Sequence, residues 1–215
     1  MASVVTLPRV IPAAPDKPVR PEAAGTQELM ARLALAPTEW TSALAQVTID
    51  GWDAMAPTWA TERGGYRPAP LIDALARGGP FRSGRGLKLC CGTGLLSEVI
   101  EPVWPDLVSV DLSAGMLARS SSTRRARVDA SVLPFADDTF AAVVLCDGPL
   151  FAAEVLRVLG PDGVLVISNA LGTGAPYFVE TSWLLDALVR VEPATEFAAV
   201  ESEASWGSWV VLRRA

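Results

Sequence analysis

The sequence predicts an α/β protein: a seven-stranded, mostly parallel sheet with helices on both faces, a C-terminal antiparallel hairpin and an N-terminal helical cap. Three observations predict it. From Gly86 onward, short apolar runs alternate with helix-like stretches, the rhythm of parallel β-α-β units. The run Phe140-Ala141-Ala142-Val143-Val144-Leu145 is apolar without alternation, as a central strand covered on both faces must be. Before Gly86 the apolar residues recur with helical spacing instead.

The elements follow in order. Residues 1–25 carry five prolines (Pro8, Pro12, Pro15, Pro18, Pro21) and read as a flexible arm. Leu29, Met30, Leu33 and Leu35 predict a first helix, and 38–47 a second with Thr38 as its N-cap. The segment 51–59 is rich in bulky apolar groups, 64–68 is a turn and 70–76 a short helix. Residues 26–85 thus form a helical cap, and 86–215 the core, with 26–215 as one domain. Within the core, strands are expected at 87–91, 107–110, 126–128, 140–145 and 164–168, with helices at 95–100, 113–117, 151–159 and 182–189 between and after them. Ser113 is the expected cap of its helix, and the turn Gly160-Pro161-Asp162-Gly163 leads into a strand. Strands at 196–201 and 208–212 close the chain as a hairpin around Trp206-Gly207.

Composition excludes several function classes. The chain has 215 residues, half of them apolar, enough for a full core without disulfides. Its net charge is −6 and it has no long basic block, so nucleic acid is disfavoured as a partner. It has no histidine, which removes His metal sites, Ser-His-Asp triads and His bases together. Cys90, Cys91 and Cys146 form no Cys-x-x-Cys pair, so no metal site is expected and the thiols read as reduced and buried, as in a cytoplasmic protein. No segment looks like a signal peptide or a membrane span. A monomer or homodimer is expected.

The chemistry should lie at the carboxyl ends of the strands, where open α/β sheets bind ligands. Cys91-Gly92-Thr93-Gly94 is a tight glycine turn between strand and helix, where backbone can approach a ligand closely. Asp111 lies 19 residues beyond Gly92 at the end of the next strand, placed to accept both hydroxyls of an adenosine ribose. A dinucleotide fingerprint needs a third glycine, but Ser97 stands there, and no phosphate-binding Lys-Ser/Thr follows. An NAD-type oxidoreductase is disfavoured on that ground. A ligand with ribose but no phosphate fits better.

Together the motifs resemble the class I S-adenosylmethionine-dependent methyltransferases, which are Rossmann-like. Leu87-Lys88-Leu89-Cys90-Cys91-Gly92-Thr93-Gly94 resembles their first motif, and Val110-Asp111-Leu112-Ser113-Ala114-Gly115-Met116-Leu117 their second. Residues 128–140, opening with Asp129-Ala130, are similar to the third, whose acid-plus-small pair faces the adenine. Residues 154–163 resemble the helix and turn before the fifth strand. The resemblance spans about residues 86–168 and is nearest the small-molecule type. Two departures stand out: Lys88 replaces the family's usual acid, and Cys90 a frequent glycine. The segment 147–153 is also short where relatives often carry a longer substrate loop.

The resemblance implies S-adenosyl-L-methionine as cofactor and methyl transfer to an O, N or C atom of a small acceptor. It implies cofactor contacts at Cys90, Cys91, Gly92, Thr93, Gly94, Asp111, Leu112, Met116, Asp129, Ala130, Cys146 and Tyr66, with Asp147 as candidate base. Trp52, Met55, Trp59 and Tyr66 are candidates for a lid, since a sulfonium favours an aromatic face. The alternative, motivated by Lys88 and the short loop, is a catalytically silent relative that binds cofactor or a protein partner.

Overall fold

A computed structural model of the chain describes residues 3–13, 15–16, 23–63 and 65–215, with backbone alone at 23 and 63. Eight strands form one sheet: β1 (Ser3–Thr6), β2 (Arg85–Leu89), β3 (Asp106–Asp111), β4 (Arg125–Arg127), β5 (Phe140–Cys146), β6 (Leu159–Asn169), β7 (Phe197–Ala204) and β8 (Gly207–Arg214). Their order is β1-β7-β8-β6-β5-β2-β3-β4. All neighbours are parallel except β6/β8 and β7/β8, so the expected mixed sheet with its C-terminal hairpin is the observed one. Strand order reverses between β2 and β5, which opens a crevice beyond their carboxyl ends.

Among the described residues eight α-helices surround it: α1 (Ala23–Leu35), α2 (Ser42–Met55), α3 (Trp59–Arg63), α4 (Pro68–Arg77), α5 (Ser97–Ile100), α6 (Ala114–Leu117), α7 (Ala152–Val158) and α8 (Thr181–Val191). Side-chain alternation splits the core into two layers. Leu87 and Leu89 of β2 and Val143 and Leu145 of β5 pack with Ala34, Val155 and Leu184 from α1, α7 and α8. Ala142, Val144 and Cys146 point the other way, to Leu71 and Ala74 of α4 and Ile100 of α5.

Four expectations about the elements are corrected. The sheet has eight strands, not seven, and the extra one comes from the stretch read as a flexible arm. Ser3–Thr6 pairs in parallel with β7 from Ala198 to Glu201. The first proline, Pro8, follows the strand, so no ladder donor is lost within it. Residues 1–2, 14 and 17–22 of the proline-rich arm lie outside the described residues. Thr41, not Thr38, caps α2, accepting from the Leu44 N–H at 3.2 Å, and α2 runs on through the apolar segment to Met55. Gly160-Pro161-Asp162-Gly163 is a bulge inside β6 rather than a turn before it, because register jumps from Phe140↔Leu159 to Ala142↔Val164.

The N-terminal stretch is tied down beyond β1. The Leu7 N–H donates to the Glu201 carbonyl at 2.8 Å, and the Ser205 N–H to that of Ile11 at 2.9 Å. Leu7 and Ile11 pack against the second core layer. Deleting residues 3–11 should therefore uncover the β7 edge and cost about 2 kcal/mol of burial. The expected reading is a melting temperature lower by roughly 4–8 °C, and no shift would show the segment to be passive.

On the opposite side of the crevice's floor, α4 is riveted to β8. Asp73, 3% exposed, accepts from Trp209 Nε1 at 2.6 Å and pairs with Arg77. Burial alone would raise the Asp73 pKa, but the Arg77 and Trp209 bonds outweigh it and hold it below the usual range.

Candidate functional site

A cleft with about 1250 Å³ of empty space, its open mouth included, sits over the crevice between β2 and β5. Its floor is made by the two central strand ends. Cys90 follows β2 and Asp147 follows β5, and both are left-handed (φ +51° and +50°). The two turns touch: a Cβ on Gly148 would lie 2.8 Å from Cys90 Sγ. Gly148→Ala should therefore cost about 1–3 kcal/mol through overpacking. Adding Cys90→Gly should recover part of it, since the Cys90 obstacle and its left-handed strain leave together while Leu145 Cδ1 stays 2.9 Å from the added Cβ. Denaturant melts of the single and double variants check this, and strictly additive losses would count against the contact.

The glycine turn divides in two. Gly92 (φ +56°) lines the cleft. Gly94 (φ +78°) faces away, where a Cβ would meet Ser120 Oγ and Ser121 Oγ at 2.8 Å. Asp111 fixes the turn: its Oδ2 accepts from the Gly92 N–H at 2.7 Å and its Oδ1 from the Ser113 N–H at 2.9 Å. Ser113 caps α6 as expected, accepting from the Met116 N–H at 3.0 Å. Burial raises the Asp111 pKa above the usual range, against the opposing pull of those two N–H bonds and of Lys88. Ser97 turns inward to share a 2.7 Å hydrogen bond with Ser122.

The third element is the loop after β4. Asp129 and Ala130 line the cleft. Arg157 of α7 holds this loop, donating to the Phe135 and Leu133 carbonyls at 2.7 and 2.9 Å, while Glu154 accepts from the Leu133 N–H at 2.6 Å. Asp129 itself is bonded by the cap: Trp40 Nε1 donates to its Oδ2 at 2.9 Å.

The cap closes the cleft with aromatic groups. Trp52 and Trp59 meet edge to face at 4.9 Å, and Tyr177 lies 6.1 Å from Trp52. Asp53 of α2 accepts from the Gly115 N–H at 2.9 Å and from Ser113 Oγ, tying the cap to α6. The Ser113 bond is the main cause of a lowered Asp53 pKa. Arg67 stacks 4.4 Å from the Trp59 ring centre and pairs with Asp147 at 2.5 Å. Asp147 also accepts from the Ala170 N–H at 3.2 Å. A smaller pocket adjoins the cleft and shares Trp52, Trp59, Arg67, Asp147 and Tyr177 with it.

Nine of the twelve residues expected at the cofactor line the cleft: Cys90, Cys91, Gly92, Asp111, Leu112, Met116, Asp129, Ala130 and Cys146. Thr93, Gly94 and Tyr66 do not. The first two lie on the turn's outer half. Tyr66 lines only the smaller pocket, its ring 5.6 Å from that of Trp206. Asp147 lines the cleft, but with a carboxylate already committed to Arg67 and the backbone. Trp52 and Trp59 line it as lid candidates, and Met55 does not. Trp40, Arg67, Phe151 and Tyr177 were not anticipated. Cys90 and Cys91 are both pushed up to about 12, chiefly by burial, so neither is a nucleophile at neutral pH.

Residues 87–167 match the family described as a methyltransferase domain. The DhpI–SAH complex superposes with a TM-score of 0.61 at 17% identity, covering 81% of this chain and 99% of that one. The chain has the methyltransferase fold. A second structure with this fold, an S-adenosylmethionine-dependent methyltransferase of Thermotoga maritima, gives a TM-score of 0.57 at 18% identity, over 76% of this chain and 97% of that one. In sequence, demethylmenaquinone methyltransferase of Renibacterium salmoninarum is 33% identical over 156 residues, 63% of this chain and 64% of that protein. Its counterpart in Mycolicibacterium paratuberculosis is 35% identical over 123 residues, 50% and 52% respectively. The chain thus spans under two thirds of the length of these curated relatives.

Proposed function

We propose that this chain is an S-adenosylmethionine-dependent methyltransferase acting on a small, apolar aromatic acceptor. One observation carries the reading: a single cleft at the switch point joins Gly92, Asp111 and Asp129-Ala130 to an aromatic mouth of Trp52, Trp59 and Tyr177. The donor set fits the group. Asp111 retains lone pairs for two ribose hydroxyls beyond its two backbone bonds. Ala130 leaves space for a flat base, and the Gly92 backbone admits close approach.

Bound S-adenosylmethionine supplies an activated methyl group on a sulfonium. The chain supplies alignment, a dry wall and aromatic faces that favour the cation. It does not need a strong base. Each carboxylate lining the cleft is already hydrogen-bonded, and burial pushes Tyr177 up to about 12. The acceptor must bring its own acidic proton, as a phenol, enol or quinol does. Asp147 then acts as a positioning residue that holds Arg67 over Trp59. The curated relatives are named for demethylmenaquinone, and a quinol of that kind suits the aromatic mouth. Among the described residues no helix is long and apolar enough to cross a membrane, which accords with action in the cytoplasm.

The same commitment of carboxylates favours a second reading, a cofactor-binding relative without transfer activity. The test is methyl-labelled S-adenosylmethionine offered with a panel of phenols, quinols and amines. Labelled product from a phenol or quinol is expected. Cofactor binding with no labelled product from any member would select the silent reading instead.

A further inference from the structure

Lys88 is the sole lysine among the described residues, and it is 2% exposed. It lies in β2 beside Ser109 of β3 and Val144 of β5, on the face opposite Leu87 and Leu89. Its ammonium donates to the Leu89 carbonyl at 2.7 Å. Among the described residues it forms no ion pair. The carboxylates that share the cleft are taken: Asp111 by two backbone N–H groups, Asp129 by Trp40 and Asp147 by Arg67. It lines the cleft together with Cys90, Cys91, Gly92 and Asp111, and its charge lowers the pKa of Asp111, Cys90 and Cys91 against their burial. A buried ammonium with two spare N–H donors and no direct ion pair is costly, even with the Asp111 charge nearby. Because Lys88 lines the cleft, an anionic group entering there removes that cost.

We propose that Lys88 is a specificity residue for the carboxylate of the cofactor's amino-acid end, so that the protein selects its cofactor by that carboxylate and not by the amine. This rests on the cofactor reading above. A carboxylate gains both a charge partner and the spare donors, whereas an ammonium beside Lys88 meets like charge. An acidic acceptor offers the same chemistry from a second source, and the experiment separates the two.

The experiment is calorimetric titration of the full chain and of Lys88→Met with four ligands. They are S-adenosylhomocysteine, its analogue without the amine, its analogue without the carboxylate, and 5′-methylthioadenosine, which lacks both. For the unmodified protein, losing the carboxylate should weaken binding at least about tenfold, and losing the amine by less than about threefold. In Lys88→Met the carboxylate penalty should fall below about threefold while 5′-methylthioadenosine binds unchanged. Lys88→Arg should keep the preference, which preserves the test if the Met variant does not fold. Equal binding of S-adenosylhomocysteine and its carboxylate-free analogue to the unmodified protein overturns the proposal. So does an undiminished penalty in Lys88→Met. Salicylate titrated into the S-adenosylhomocysteine-loaded protein forms the other arm: binding that Lys88→Met abolishes would assign the lysine to an acceptor acid and overturn the proposal. Failure of all four nucleosides to bind the unmodified protein would remove the cofactor reading itself.

Discussion

Asp111→Ala should weaken S-adenosylhomocysteine binding by at least about tenfold, the effect of losing one charge-assisted hydrogen bond or more. Asp111 acts twice. It is the acceptor offered to the ribose, and it pins the glycine turn through the Gly92 N–H. Calorimetry gives the affinity, and a thermal melt shows that the variant is folded. A loss under threefold would count against the ribose role. The pH dependence has a definite sign. Burial raises the Asp111 pKa, and ribose hydroxyls are best accepted by the ionised form. Affinity should therefore fall on acidification at a pH above that of an ordinary Asp. For folding the sign is opposite. A raised carboxyl pKa contributes stability below the unfolded-state value and loses it as pH rises through the folded value. Ionising Asp111 to receive the ribose thus comes at some cost to the unliganded fold.

The second large effect is on stability. Asp73→Ala should destabilise the fold by about 3–5 kcal/mol, because it leaves Arg77 and the buried Trp209 Nε1–H without their shared acceptor. In a chain of this size that is on the order of 10 °C in melting temperature. The Asp73 pKa is depressed on folding. Its contribution is present above the ordinary Asp value and is lost as pH falls through the lower, folded one. A denaturant melt at neutral pH and another in acid check both parts. A loss below about 1 kcal/mol at neutral pH would show that water replaces Asp73 there.

What could be read from the sequence divides along a physical line. Periodicity and punctuation are local, and they located β2, β3 and β5, the Ser113 cap and the Gly92 turn within a residue or two, but missed the first five residues of β6, which the bulge at 160–163 disguises as a turn. Asp111 was legible because strand ends in a β-α-β unit share one edge, so a fixed spacing brings it to the turn. Trp40, Arg67 and Tyr177 were not legible. Trp40 meets Asp129 across 89 residues and Arg67 meets Asp147 across 80, and no local pattern encodes such pairings. Asp147 looked like a free acid because its sequence position says nothing of Arg67. β1 was missed for another reason: an edge strand of four exposed residues has no buried face to leave an alternating trace. Lys88 is the converse. Its oddity was plain in the motif, but only its burial without a direct ion pair gives the oddity a chemical direction.

The most direct test of the account is calorimetric titration of the full chain with S-adenosylmethionine at neutral pH. Saturable one-site binding, abolished or weakened at least about tenfold by Asp111→Ala, is the predicted result. The absence of any binding heat at millimolar cofactor, from a chain shown by its melt to be folded, would contradict it.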